Sequence, residues 1–192
     1  NSIMANAVKI KQTMVEQGIP EEVIMQFEFS DSYKNHRPEP IIPLINQMDR
    51  LLSKEQYLSI MEQQGCCKTG KPDAAWRAFG RKHANKTVEE KLELLAELDT
   101  PHKAPCHLNS DGTLSVYWGF EHDGRYHCIC SAIKNLPQPV NISRTYCGCC
   151  SGHIRHHYQN GLGVRLRLKE VVPSPISSGG EKRCEFLFEI LK

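Results

Sequence analysis

The densest chemistry in the chain lies in YCGCCSGHIRHHYQ, residues 146–159, where three cysteines and three histidines share fourteen positions. Thiolate and imidazole are the donors that zinc and other thiophilic ions take, and a thiolate beside an imidazole is also a nucleophile beside its base. Cys147, Cys149 and Cys150 fall where a helix should begin, so backbone N–H groups and the positive end of the helix dipole favour a thiolate there. On that helix Cys149, His153 and His157 follow at four-residue steps and share a face, with Cys150 three residues before His153. Cys128 and Cys130 alternate in RYHCICS, a strand pattern that points both to one side. The spacing predicts a metal site of Cys147, Cys149, Cys150 and His153, with Cys128 and Cys130 as further candidate ligands and zinc as the cofactor. The competing chemistry is a hydrolase-like enzyme with Cys149 or Cys150 as nucleophile and His153 as general base. Three thiols within four residues exceed what one nucleophile needs, and spare thiols oxidise unless ligated or buried, which favours the metal.

Other residues are weighed against plain packing, since free cysteine is among the most buried residue types. Arg144 stands at the mouth of the same helix and could clamp a carboxylate bidentately. It joins His157 and Trp118 as a candidate ligand-binding residue, whereas Arg155 and His156 read as solvated surface. The vicinal pair Cys66 and Cys67, in GCCKTGK between helices, could add ligands or a redox couple, although adjacent cysteines chelate one ion poorly. GCCKTGK lacks the spacing of a phosphate loop and follows no strand, which excludes a nucleotide reading. Cys106 stands just before the first strand, and Cys184 reads as core.

Twenty-four basic against 22 acidic residues leave a charge of +2 in 192 residues, so nothing general favours nucleic acid or an anionic membrane. The early helices carry no clustered basic face. No apolar run approaches the about 20 residues that span a bilayer, and the opening NSIMANAVKIKQTMVEQG is amphipathic without the apolar core of a signal peptide. The expectation is a cytoplasmic protein whose partners are a metal ion or a small molecule. Nine cysteines cannot all pair within the chain, and in a reducing cytosol clustered cysteines mean metal binding or thiol chemistry more often than disulfides. The sequons at Asn85 and Asn141 carry no weight there.

The elements that must position these groups divide near residue 104. Residues 1–104 read as helical. AVKIKQTMVEQG runs to Gly18, EEVIMQF follows Pro20, and a loop SDSYKNHRPEP precedes IIPLINQMDRLL. Ser53 with Gln56 and Thr87 with Glu90 form capping boxes, Gly65 suits a left-handed helix end, and DAAWRAFGRKHA makes a further helix. Residues 105–192 turn to a period of two. TLSVYWGF and RYHCICS flank an Asp-Gly hairpin, the Cys/His helix closes at Gly161 or Gly163, and VRLRLKEVV and CEFLFEI complete the set. The class predicted is α+β, helices packed on a mainly antiparallel four-stranded sheet, the whole one compact unit.

The closing GGEKRCEFLFEI, with Gly180, Cys184, Phe186, Phe188 and Ile190, follows a hairpin, a Cys-bearing helix and a VRLRLKEVV strand. Together they resemble the C-terminal half of vinyl-reductase-type small-molecule-binding domains and of bacterial aminothiazoline-carboxylate hydrolase-like proteins. The CGCC helix start resembles an uncharacterised cysteine-rich bacterial family. The resemblance covers less than half the chain and implies a ligand pocket between sheet and helices, with thiols at the helix start. In the hydrolase-like group a carboxylate follows soon after the helix cysteine, whereas no acid stands between Cys150 and Gly161 here. That mechanism therefore does not transfer residue by residue.

Overall fold

The computed structural model describes residues 5–29, 41–100, 103–130, 133 and 140–191. The loop read at 30–40 lies outside them. The first half contains α1 (Ala7–Glu16), α2 (Glu21–Ile24), α3 (Ile41–Leu51), α4 (Lys54–Glu62), α5 (Gly70–Lys82) and α6 (Val88–Glu93), the last continued by a 3-10 turn at Leu94–Glu97. Both capping boxes form, each hydroxyl accepting from the N3 amide while the N3 side chain accepts from the cap amide. The second half contains β1 (Cys106–Leu108), β2 (Leu114–Trp118), β3 (Phe120–His122) and β4 (Arg125–His127). A 3-10 turn (Arg144–Cys147) then leads into α7 (Gly148–Leu162), followed by β5 (Arg165–Val171), α8 (Pro175–Ser178) and β6 (Cys184–Leu191). Among the described residues no helix is long and apolar enough to cross a membrane.

The class is α+β. The larger sheet has four strands in the order β1-β2-β6-β5, with every neighbouring pair antiparallel. Its inner face is built by Leu114 opposite Phe188 and Val116 opposite Phe186, all four fully buried. Leu166 and Leu168 continue that face along β5, and a register shift between Leu168 and Glu170 turns Val171 inward where strict alternation would have buried Glu170.

One strand assignment differs from expectation. Gly119, at φ 97°, ends β2 and turns the chain out of the sheet, so FEH pairs with RYH in a separate two-stranded ribbon. Asp123 and Gly124, at φ 52° and 70°, make the two-residue turn that the Asp-Gly pair predicted. The fourth strand of the sheet is instead Cys106–Leu108, a segment expected to precede it. Cys128 and Cys130 follow β4 outside any strand, so alternation does not set their directions.

Two apolar clusters form the interior. One gathers Ile10, Met14, Ile41, Leu44, Ile45 and Met48 from α1 and α3; the other gathers Trp76, Phe79, Leu114, Val116, Phe186 and Phe188 beneath the sheet. Helix α7 serves both, sending Cys149 to the first and Ile154, Tyr158 and Leu162 to the second. It can do so because its neighbours approach its backbone. A Cβ on Gly152 would collide with the Glu62 carbonyl, one on Gly65 with the His153 amide nitrogen, and one on Gly161 with the Trp76 ring. Gly65 is therefore not the left-handed end of α4, whose C-cap is Gln63, but a point of close approach two residues beyond it, while Gly163, at φ 71°, closes α7.

Gly152→Ala is expected to destabilise the protein by about 1–3 kcal/mol, because the added methyl must push α7 off the backbone that follows α4. Urea denaturation reads this as a lowered midpoint with unchanged slope.

Candidate metal centre

The segment after α4 crosses the histidine face of α7. His153 Nδ1 lies 2.8 Å from the Cys66 carbonyl and His157 Nε2 lies 3.1 Å from the Cys67 carbonyl. A carbonyl only accepts, so each of these ring nitrogens donates its N–H. The neutral lone pairs then sit on His153 Nε2 and His157 Nδ1. Metal-ligating histidines are oriented by this kind of contact.

The thiols of the same dipeptide also reach His153. Ligand atoms of Cys66, Cys67 and His153 all lie within 4.8 Å of one another. Adjacent cysteines in an extended chain would point to opposite sides. Here Cys67 adopts φ 55°, a left-handed conformation that costs a non-glycine residue about 1–2 kcal/mol and carries both thiols to one side. Cys66 and Cys67 are half-buried while His153 is 5% exposed, so the imidazole is fixed and the thiols remain reachable. Trp118 walls the site with its ring centroid 5.8 Å from that of His153.

A second group adjoins the first. Ligand atoms of Asp73, His156 and His157 likewise lie within 4.8 Å of one another. The rings of His153 and His157 meet edge-on at a centroid distance of 4.7 Å, which links the two groups along the helix.

The cysteines that the spacing singled out are placed as follows. Cys147 is buried among Cys184, Cys128 and the Ser174 hydroxyl, and burial pushes its thiol well above the usual range. Cys149 donates to the Gln64 carbonyl at 3.7 Å, and burial raises its pKa to about 12. Cys150 sits against Cys130, a contact that together with burial raises its thiol, and Cys130 in turn lies 3.8 Å from the Tyr146 hydroxyl. Burial raises Cys128 to about 11 and Cys184 to about 12. Thiols held this way are protonated near neutral pH, and burial in place of a helix-end thiolate disfavours a nucleophile at Cys149 or Cys150. Arg144 is exposed, and its guanidinium donates to the Val172 carbonyl. Arg155 is held at the sheet, 2.6 Å from the Leu166 carbonyl and 3.6 Å from Glu62.

Of the residues singled out by spacing, His153 and His157 belong to the three-ligand groups found among the described residues. The others are Cys66 and Cys67, possible ligands by sequence alone, and His156, expected at the surface, with Asp73, which no spacing marks. The available signal was the i, i+3, i+4 spacing of the three histidines, which marks a face without saying what lies across it.

No family model and no curated protein matches the chain. Among solved structures, an H-NOX protein from S. oneidensis in the Fe(II)NO ligation state is similar over 96% of this chain and 90% of that chain, at 9% identity and a TM-score of 0.28. A likeness this slight carries no argument.

Raised thiol pKa values make the metal-free, reduced protein sensitive to alkali. Below pH 9 folded and unfolded chains both keep these protons; above it the unfolded thiols, near the ordinary 9.0, ionise first, while Cys128, Cys149 and Cys184 hold on to about 11 to 12. Stability is therefore expected to fall continuously between about pH 9 and 12. Urea midpoints measured at pH 7.5 and pH 10 with reductant and chelator check it.

Proposed function

We propose that the chain is a metal-binding protein that holds a thiophilic divalent ion, zinc foremost, through Cys66, Cys67 and His153. The observation that carries this reading is the convergence of two thiols and one oriented imidazole within 4.8 Å. Ligands around a tetrahedral zinc stand roughly 3.5–3.8 Å apart, given Zn–S near 2.3 Å and Zn–N near 2.0 Å. The three groups would need to close by at most roughly an ångström. The half-buried thiols can make that movement, and the helix-anchored imidazole need not. A site with three donors and an open position would serve a bound small molecule or an exchanged ion equally well. The role is that of an accessory or sensor-like module.

Protein purified anaerobically is expected to carry zinc at this site by elemental analysis, and Cys66→Ser and Cys67→Ser each to lose one equivalent. Chelation is expected to lower the urea midpoint of wild type by more than that of either variant. Full metal retention in both variants would sink the reading.

A further inference from the structure

The histidine face of α7 carries more donors than one thiolate site uses. We propose that Asp73, His156 and His157 form a second divalent-cation site beside the first, so that the protein holds a pair of ions with different ligand chemistry. The pairing rests on the function proposed above, whereas the second site stands on its own residues.

Asp73 lies in the first turn of α5 and reaches across to α7, where His156 Nε2 is 2.7 Å from its Oδ1. Arg77, four residues on, donates to Oδ2 at 2.9 Å and fixes the carboxylate plane. The side chains of Asp73 and His156 are 15% and 23% exposed, so an ion can reach them from solvent, while His157 is fully buried behind them. An ion pair between the two helices would need only Asp73 and His156. The structure adds His157, whose Nε2–H is committed to the Cys67 carbonyl, so its lone pair lies on Nδ1.

Two imidazoles and one carboxylate are a harder set than two thiolates and one imidazole. The second site suits a first-row divalent cation such as iron(II), cobalt(II) or zinc, and three protein ligands leave open positions on it. The sites are coupled through one dipeptide. The thiols of Cys66 and Cys67 belong to the first site, while their carbonyls orient His153 in the first and His157 in the second. The ions would stand about one helical turn apart, ~5 Å. An ion at the second site takes the place of the proton between His156 and Asp73, and His156 ligates through Nε2 as the neutral tautomer with its proton on Nδ1.

Cobalt(II) titration of the chelator-treated, reduced 192-residue chain separates the two sites. Sulfur-to-cobalt charge transfer in the near ultraviolet reports the thiolate site, visible d–d bands report both, and elemental analysis after desalting gives the stoichiometry. Wild type is expected to retain two equivalents. Asp73→Ala and His156→Gln should each fall to one with the charge-transfer band intact, which also shows that these variants fold. The double variant Cys66→Ser/Cys67→Ser should fall to one, losing that band while keeping the visible bands. The proposal is overturned if wild type retains one equivalent that neither Asp73→Ala nor His156→Gln removes, in which case Asp73 and His156 are only an interhelical ion pair. If no charge-transfer band ever appears but both variants lose an equivalent, the second site stands and the thiolate site falls.

Discussion

The contact between Gly65 and Gly152 is the constraint on which the rest of the structure depends. With no side chain on either residue, the segment leaving α4 lies directly on the backbone of α7, where a Cβ at Gly152 would strike the Glu62 carbonyl and one at Gly65 the His153 amide. That approach brings the Cys66 and Cys67 carbonyls within hydrogen-bonding distance of His153 and His157. A gap of one methyl group would lengthen both bonds beyond useful range. At the far end of the same helix, Gly161 admits the Trp76 ring and Gly80 admits the Asn160 carbonyl, so α7 is clasped from both sides.

The sheet is tied to this clasp by one buried carboxylate. Glu62, 5% exposed at the end of α4, accepts from the Leu168 amide at 2.7 Å and faces Arg155 at 3.6 Å. Burial raises its pKa, opposed by the Leu168 hydrogen bond and the arginine charge. One side chain thus joins α4, α7 and β5 where the two apolar clusters meet. Burying a carboxylate is costly unless its oxygens are satisfied, and here the Leu168 N–H supplies a hydrogen bond while Arg155, on the helix that the glycine contacts hold, supplies the opposite charge.

The cysteines divide by environment. Cys147, Cys149 and Cys184 are buried, and desolvation keeps them as neutral thiols that pack like small apolar side chains. Cys66 and Cys67 are half-buried, on a backbone that Cys67 holds in the left-handed region. Cysteine density along the chain points to the helix start, whereas the thiols that cluster with His153 among the described residues lie on the segment that crosses it.

What the sequence determined by itself is local. Ser53 with Gln56, Thr87 with Glu90, the Asp123-Gly124 turn and the alternation of CEFLFEI specify structure through hydrogen bonds and side-chain parity spanning a few residues, and each forms as read. The histidine face of α7 was legible for the same reason, since helical spacing alone brings His153 and His157 together. Tertiary structure decided what lies across that face. Cys66 is 87 residues from His153 and Asp73 is 83 from His156, and no periodicity carries information over such distances. It also decided that FEH leaves the sheet at Gly119 while Cys106–Leu108 joins it, because an edge strand of three residues is too short to show a period and is defined by the partner it meets. A glycine's role as a point of contact is likewise invisible until its neighbour is in place, which is why Gly65 reads as a helix end in the sequence and acts as a seat for α7 in the fold.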